Sequence, residues 1–414
     1  LCVTKLASQF LWRPPAMWIW LPAVVAALEP CSGNGYLYVE DEALGLEPAC
    51  ECLSCYTGAN CSVLDKTCVV GVGVVELSAL LPWFAKRKDV AVNLGPTYHM
   101  DYMHSNSLLS EEAASQRVMR TLNETIRGLH ADVGNAETEG YQVVIGAGAM
   151  QLLSSVTHVL AKRKGMKLFS AVPYWDVFEQ IGNSPDNLTF TTDATLDPSN
   201  VIEVVTSPNN PNGHSMTPQY PPSKVAGTVH DFVYNWPHMK AITKKHSEDV
   251  MVFSLSKLTG YSASRVGWAL IKDRDLAEDV SGHIFLNGQG AGVEAQYRAV
   301  EVLRSIRRSL KTDDDFFATA NATFSKRWQQ LKDALDPARY TLEDTVEGPP
   351  FAWVRCHGTP NCANDFYDAQ IGVGAGSDYG GSDADHVRLT LYQDQSTFDL
   401  MIQQIRAMSP AALV

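Results

Sequence analysis

Downstream of residue 69, short apolar runs alternate with stretches in which apolar residues recur every three or four positions. One helix is predicted to begin near Ser110, and a second is predicted from about Met150 to Lys162. Apolar runs predict strands at residues 141–145, 167–172, 201–206, 227–233 and 250–253. A helical stretch from about residue 285 leads into a second lobe that ends near residue 408. This order predicts an α/β unit with a mostly parallel sheet, followed by a smaller lobe.

Chemically distinctive residues follow five of these predicted strands. In chain order they are Gly146–Gly148, Tyr174–Trp175, Asn209–Gly213, Asp231 with Tyr234, and Lys257. Taken singly, each has an ordinary explanation as a turn, a core aromatic residue or a helix cap. Because ligands bind beyond the carboxyl ends of the strands in such sheets, we expect the five groups to converge on one site.

Lys257 lies in the most informative segment of the chain, residues 254–268, which is rich in small hydroxylated residues and contains Arg265. A buried lysine is costly unless its amine is neutral or covalently committed. Hydroxyls and a guanidinium nearby are suited to binding a phosphate. The segment therefore predicts a lysine that holds a phosphorylated aldehyde cofactor as a Schiff base. A surface lysine in a serine-rich loop is the alternative.

The amino-terminal segment is apolar from Met17 to Leu28 and is preceded by Lys5 and Arg13. It is shorter than the ~18 residues of a membrane span, and its length fits the core of a signal peptide. We expect residues 1–29 to be a signal peptide that directs the protein into the secretory pathway, for secretion or for the vacuole or endoplasmic reticulum. A retained membrane anchor is the alternative, and only then would a membrane be a partner.

Cysteine usage agrees with an oxidising compartment. Six of the nine cysteines are crowded between residues 31 and 68, with glycine and asparagine between them. Cys52 and Cys55 have the spacing of zinc ligands, but the cluster contains no histidine, so we favour disulfides over zinc. Cys356 and Cys362 can close a separate small loop. Sequons at Asn60, Asn123, Asn187 and Asn321 are consistent with a secreted glycoprotein, Asn60 being the least favourable because it lies among the cysteines.

Composition narrows the function classes. The 414-residue chain has 45% hydrophobic and 19% charged residues and a formal net charge of −13 at pH 7. Such values are ordinary for a globular protein, and the length suffices for a two-lobed enzyme with an appendage. Nucleic-acid binding requires a basic surface, so we expect no nucleic-acid partner.

The motifs resemble those of fold-type I pyridoxal-phosphate (PLP) enzymes, and more narrowly the plant family of alliin lyases and tryptophan aminotransferase-related proteins. The segments that carry the resemblance are 133–136, 204–213, 230–238 and 256–270. The resemblance covers roughly residues 30–408. It implies a large domain over about 106–285 with a mostly parallel seven-stranded sheet flanked by helices. It also implies a small α+β domain built from about 70–105 and 286–414.

The cysteine cluster, residues 30–69, resembles the EGF-like module that precedes the catalytic unit, residues 70–414, in such proteins. By this resemblance the pairs are Cys31–Cys50, Cys52–Cys61 and Cys55–Cys68, with Cys356–Cys362 separate.

The resemblance also implies roles for residues that would handle PLP. Lys257 carries the cofactor aldehyde and moves the proton from the substrate Cα. Asp231 pairs with the pyridine nitrogen and keeps it protonated, while Asn210 and Tyr234 hydrogen-bond the phenolic oxygen of the ring. Trp175 stacks on the ring in place of the usual tyrosine or phenylalanine.

Further roles concern the phosphate, the substrate and a second subunit. Ser254 and Arg265 hold the phosphate with backbone amides near Gly148 and Ala149, and Arg388 grips the substrate α-carboxylate. Tyr102 matches a tyrosine that reaches the phosphate of the neighbouring subunit, which implies a homodimer. The chain departs from the family at Ala149–Met150, where relatives have a hydroxylated residue, and at the poorly matched segment 71–76.

Three functions stay open at this stage. The enzyme is expected to be an aminotransferase that converts a large aromatic L-amino acid such as tryptophan to its 2-oxo acid, with a 2-oxo acid as amino acceptor. The second reading is a carbon–sulfur lyase that eliminates a β-sulfur group from S-alkyl-cysteine sulfoxides. The third is a secreted binding or storage protein that has kept the fold and lost the chemistry. The first two need the same lysine and arginine, so the side-chain pocket must decide between them.

Overall fold

A computed structural model describes residues 30–38, 49–53, 55–72, 79–87, 115–163, 167–183, 188–260, 262–343, 351–381 and 383–408. The chain divides into two compact units, Leu1–Leu64 and Asp65–Val414. The predicted signal segment, Tyr102, the Asn187 sequon and the atypical residues 73–76 lie outside the described residues. Within the described ranges, no helix combines the length and the apolar character needed to cross a membrane.

The first unit is a small disulfide-linked fold. Strands β1 (Gly35–Tyr38) and β2 (Ala49–Cys52) pair antiparallel, as do β3 (Tyr56–Thr57) and β4 (Val63–Leu64). The predicted pairs Cys31–Cys50 and Cys52–Cys61 are confirmed. Cys55 and Cys68 are disulfide-bonded as well, so the zinc alternative is wrong. Gly35 is required for this packing, because a Cβ there would lie 2.7 Å from the Cys61 Sγ.

The second unit alternates strands and helices through its first half. In order these are β5 (Val70–Gly71), α1 (Leu81–Ala85), α2 (Ser115–Val133), β6 (Gln142–Gly146), α3 (Ala149–Arg163), β7 (Lys167–Phe169), α4 (Val177–Gly182), β8 (Thr189–Thr191), β9 (Val201–Thr206), β10 (Gly227–Asp231), β11 (Val250–Ser254), α5 (Leu255–Thr259), β12 (Gly267–Ile271) and α6 (Arg274–Leu286).

The remaining elements form the second lobe. They are α7 (Val293–Ser309), α8 (Phe316–Ala334), β13 (Tyr340–Leu342), β14 (Phe351–Cys356), α9 (Cys362–Asp368), β15 (Ile371–Gly372), β16 (Gly374–Ala375), β17 (His386–Thr390) and α10 (Gln395–Ala407). The predicted Cys356–Cys362 disulfide joins β14 to the start of α9.

Among the described residues, seven strands form the main sheet in the order β6-β12-β11-β10-β9-β7-β8. β12 runs antiparallel to its neighbours β6 and β11, and the other neighbouring strands run parallel. The expected mostly parallel seven-stranded sheet is confirmed. The strand predicted to reach residue 233 ends at Asp231, where the Val233 amide donates to the aspartate side chain.

Helices α3 and α6 pack on this sheet and form its main apolar core. Leu152, Leu153 and Val156 of α3 are fully buried in a cluster with apolar residues of β9–β12. These residues recur at helical spacing, so one face of the helix meets the alternate side chains of the strands. The packing anchors the start of α3 beside the carboxyl ends of the parallel strands.

A buried polar network stabilises the sheet near β12. The indole N–H of Trp268 donates to Nε2 of His130 at 2.9 Å. Because indole nitrogen is only a donor, His130 Nδ1 must carry the ring proton, which it donates to Asn135 Oδ1 at 2.8 Å. Asn135 in turn donates to the carbonyl of Asn235 at 2.8 Å. Burial lowers the pKa of His130 to about 4, so the ring is neutral.

The second lobe carries a smaller sheet of four described strands in the order β13-β14-β17-β16. β17 pairs antiparallel with β14, which sets Arg388 opposite Trp353. Arg327 of α8 is buried and donates to the carbonyls of Leu391 and Gln393, just after β17. These contacts hold the strand that carries Arg388.

Candidate active site

A cavity of about 490 Å³ lies where the strand ends of the main sheet meet β16, β17 and the loop between them. That volume is within the usual range for a small-molecule site. The predicted site residues that line it are Ala149, Trp175, Asn210, Asp231, Tyr234, Ser254, Lys257, Arg265 and Arg388. Gly148 lies directly behind Arg265. Residues far apart in sequence thus converge as the strand-end argument predicted.

One end of the cavity is suited to an anion. Gly148 has a φ of +82°, and a Cβ there would lie 2.6 Å from Nη2 of Arg265. Arg265 donates to the Ala147 carbonyl at 2.9 Å, which holds its guanidinium beside the first turn of α3. The free amides of a helix amino terminus attract anions, and the nearby arginine adds a full positive charge. Ser254 adds a hydroxyl on the cavity wall.

Lys257 is presented by a short helix that starts directly after β11. The Ser254 hydroxyl caps α5 by accepting from the Ser256 amide, and the Tyr392 hydroxyl donates to the Lys257 carbonyl at 2.7 Å. Burial and the charge of Arg388 lower the pKa of Lys257 to about 8, although Asp231 opposes them. A minority of this amine is therefore neutral near physiological pH, whereas an unperturbed lysine would be almost fully protonated, and the neutral form is the one that acts as a nucleophile or base.

Asp231 ends β10 and is 2% exposed. Burial raises the pKa of its carboxyl to about 6, although its hydrogen bonds from the Val233 amide and the Thr206 hydroxyl and the charge of Lys257 act in the opposite direction. A buried carboxylate is costly unless a positive partner compensates its charge. The site is therefore suited to a ligand that brings a protonated nitrogen to Asp231.

Arg388 and Asn210 form a buried pair at the other side of the cavity. Arg388 Nη1 donates to Asn210 Oδ1 at 2.6 Å, and the guanidinium lies 5.1 Å from the ring centroid of Tyr379. Because the amide oxygen of Asn210 is bound to Arg388, its NH2 group is the part suited to donate to a ligand. Tyr234 is buried against Phe351, and this burial raises the pKa of its phenol, which stays a neutral donor.

Trp175 lines the cavity two residues before α4 and contacts Phe178 edge to face, with the ring centroids 5.7 Å apart. Its flat indole and the apolar Val233 provide surfaces against which a planar ring can pack. Trp175 was predicted for this position, whereas Val233 was not singled out in the sequence.

Three lining residues with ionisable side chains were not predicted from the sequence: Asp176, Asp378 and Tyr379. Asp176 follows Trp175 directly, so its position was available as a signal. Asp378 and Tyr379 lie in the glycine-rich segment before β17, and only the fold of the second lobe brings them to the cavity. Burial raises the pKa of Tyr379 to about 12, although the charge of Arg388 opposes this effect.

Two family models match the chain. The model for allinase matches residues 79–409, and the model for the alliinase EGF-like domain matches residues 22–68. Tryptophan aminotransferase-related protein 3 of Arabidopsis thaliana is 33% identical over 418 residues, covering 93% of this chain and 89% of the relative. An alliin lyase of Allium cepa var. aggregatum is 28% identical over 424 residues, covering 92% and 91%.

Solved structures of aminotransferases share the fold. A double mutant of Thermus thermophilus aspartate aminotransferase matches with a TM-score of 0.60 at 15% identity, covering 82% of this chain and 92% of its own. The methionine aminotransferase YbdL of Escherichia coli matches with a TM-score of 0.56 at 15% identity, covering 69% and 83%. From the extent of the allinase match and the identity to the Arabidopsis relative, this protein belongs to the alliinase family of PLP-dependent enzymes.

Proposed function

We propose that the cavity binds PLP and that the protein is an aminotransferase for an aromatic L-amino acid of the tryptophan type. The observation that carries the proposal is the arrangement of charge within one cavity of about 490 Å³. An anion subsite, a buried carboxylate and an amine with a lowered pKa lie along its floor. A buried arginine faces them from the second lobe. These are the groups required to hold PLP and the carboxylate of an amino acid.

The residues present fit this cofactor. Gly148 allows the Arg265 guanidinium to pack directly against the loop before α3, since a Cβ there would lie 2.6 Å from Nη2, and this places a positive charge beside the first turn of α3 where the phosphate would bind. The buried carboxylate of Asp231 is suited to a protonated pyridine nitrogen, and Lys257 is suited to the aldehyde carbon. When bound, PLP withdraws electrons from the Cα of an attached amino acid and so acidifies its proton.

The side chains of the protein perform the remaining tasks. Arg388 binds the substrate α-carboxylate and thereby orients the Cα–H bond toward Lys257. Because the pKa of Lys257 is lowered to about 8, its neutral amine can accept the proton of the substrate Cα near pH 8. The resulting ammonium group can then donate that proton to a different carbon, as transamination requires. Asn210 holds Arg388 in place, and Trp175 and Val233 exclude water from the flat faces of the site.

The choice of transamination is supported by the Arabidopsis relative, which is named for tryptophan aminotransferase. Relatives at 28% identity are named alliin lyases, so carbon–sulfur lysis is the second candidate. Retention of Lys257, Asp231 and Arg388 around one cavity argues against an inert storage protein, because residues without a task would drift.

A product assay tests the choice. The purified protein, supplied with PLP, is incubated with tryptophan plus pyruvate or 2-oxoglutarate, and separately with an S-alkyl-cysteine sulfoxide. We expect the indolic 2-oxo acid together with alanine or glutamate. Pyruvate and ammonia from the sulfoxide, with no amino transfer from tryptophan, would instead establish a lyase. A protein that stays colourless after PLP is added would instead establish a binding or storage protein that has lost the chemistry.

We further propose that the protein enters the secretory pathway and works as a homodimer. The disulfide-bonded cysteines of the EGF-like module support the first point, since such modules require an oxidising compartment. The resemblance at Tyr102 supports the second. Light scattering of the purified protein measures its mass, and a mass of one chain would refute the dimer.

A further inference from the structure

Two aspartates lie at the boundary between the reaction cavity and a second, outer cavity. Asp176 and Asp378 line both the cavity of about 490 Å³ and a neighbouring cavity of about 770 Å³. Asp176 comes from the start of α4, and Asp378 comes from the short helical turn before β17. They therefore approach the boundary from two different segments. We call these two residues the acidic gate.

The outer cavity continues the negative charge of the gate. Its described lining contains Glu179 in addition to the two aspartates, and it contains no lysine, arginine or histidine. The other lining residues are Tyr174, Gln180, Asn183, Ser377, Gly380 and Gly381. A negatively charged group that entered from this side would meet carboxylates and no compensating cation among these residues.

The gate also interacts electrostatically with the arginine proposed to bind the substrate carboxylate. Burial raises the pKa of Asp176, the charge of Arg388 lowers it, and the charge of Asp378 raises it further. The three charges are therefore close enough to influence one another. Arg388 attracts one carboxylate into the cavity, while Asp176 and Asp378 repel a second one beside it.

The cations of the inner cavity are already committed under the proposed function. Arg265 lies at the phosphate end, Lys257 acts on the Cα, and Arg388 takes the α-carboxylate. A substrate with a second carboxylate would need a further cation, and the described lining of the two cavities offers none. Asymmetric charge of this kind sets specificity by rejecting the wrong ligand.

We propose that the acidic gate selects amino acids and 2-oxo acids that lack a second carboxylate. It admits neutral or cationic side chains and excludes dicarboxylates. The preferred amino acceptor is then a monocarboxylic 2-oxo acid such as pyruvate, and 2-oxoglutarate is a poor acceptor. This inference rests on the proposed function, because it assumes that Arg388 binds the α-carboxylate.

Inert carboxylates test the gate without requiring turnover. Calorimetry on the PLP-loaded protein measures the dissociation constants of 3-phenylpropionate and 3-(4-carboxyphenyl)propionate, which differ by one distal carboxylate. We expect the monoacid to bind the wild-type protein at least about tenfold more tightly. In the nearly isosteric D176N/D378N variant, the ratio should fall to within about threefold, mainly through tighter binding of the diacid.

Asp275→Asn is the matched control, because it removes the same charge from an exposed position outside both cavities. It should leave the ratio unchanged. If the double variant does not fold, the single variant Asp378→Asn, at an exposed residue, takes its place. It should give a ratio of the two dissociation constants between that of the wild-type protein and that expected for the double variant. Equal affinities for the two acids in the wild-type protein would overturn the proposal. A ratio that stays unchanged in the double variant would also overturn it. An equal loss of affinity for both acids would overturn it as well, because it would mean that Asp176 only positions Arg388.

Failure of the proposed function would look different. If the protein is a lyase, the two affinities still differ, because the carboxylates are bound before any chemistry. If Arg388 does not bind carboxylates, either 3-phenylpropionate does not bind to the wild-type protein at all, or it binds with a dissociation constant that Arg388→Lys leaves unchanged.

Discussion

Replacing Arg388 by lysine keeps the charge and removes the planar fork of donors. In the wild-type protein, one guanidinium nitrogen donates to Asn210 at 2.6 Å, which fixes the plane of the guanidinium at the cavity wall. A lysine ammonium is a single point that cannot serve the Asn210 oxygen and both carboxylate oxygens in the same geometry. At least one charge-assisted hydrogen bond is lost.

A hydrogen bond to a charged group is worth about 1.5–3 kcal/mol. We therefore expect Arg388→Lys to reduce kcat/KM for the amino acid about 10- to 150-fold. The dissociation constant of 3-phenylpropionate should rise by a similar factor, since binding of the carboxylate is what has changed. Steady-state kinetics and calorimetry measure the two effects separately.

Arg355→Lys is the control, because Arg355 lies on β14 with about half of its side chain exposed and pairs with Asp385. It should change both quantities by less than about twofold. If Arg388→Lys stays within threefold of the wild-type protein, or if the control has an equal effect, then Arg388 does not bind the carboxylate.

Three other predictions follow from single features of the structure. Lys257→Ala should reduce turnover at least about 100-fold and abolish borohydride-trapped PLP at this position, as peptide mapping would detect. Gly148→Ala should weaken PLP binding about tenfold, measured by absorbance after dialysis, because it combines a φ of +82° with a contact to Arg265. Acid should destabilise the fold through His130, whose pKa is lowered from 6.5 to about 4. Protons then bind the unfolded state preferentially, so the stability from this residue is present above pH 6.5 and is lost as the pH falls toward 4, by about 2 kcal/mol at pH 5.

Matched variants separate these effects from general damage. Lys272→Ala removes an exposed lysine and should leave turnover and PLP attachment intact. Gly140→Ala imposes a similar backbone strain at φ +78° with nothing within 4 Å, so PLP affinity should not change. His130→Gln removes the titrating ring, so urea unfolding at pH 7.5 and pH 5 should show a smaller difference in unfolding free energy than in the wild-type protein. An unchanged difference would contradict the assignment to His130.

Much of the main sheet could be predicted from local pattern. The apolar run at residues 201–206 is a strand with those bounds, and the predicted helix from about Met150 to Lys162 is found at Ala149–Arg163. The strand predicted to reach residue 172 stops at Phe169, and the one predicted to reach 233 stops at Asp231. Apolar composition continues past both ends, so the pattern alone could not place them. Hydrogen bonds to side chains, such as the Val233 amide to Asp231, decide where pairing stops.

The sequence by itself determined the identities of the charged groups and their order at the strand ends, because a parallel sheet places successive carboxyl ends at one edge. It also determined two of the module disulfides through the family resemblance. Arg388 of the second lobe was expected at that edge through the family resemblance, but only the tertiary structure decided that Asp378 and Tyr379 face it as well. Both belong to a turn whose local sequence says nothing about the main sheet. The Arg388–Asn210 hydrogen bond and the electrostatic repulsion between Asp176 and Asp378 involve segments about 180 or 200 residues apart. Such contacts depend on packing between lobes, and spacing along the chain does not encode it.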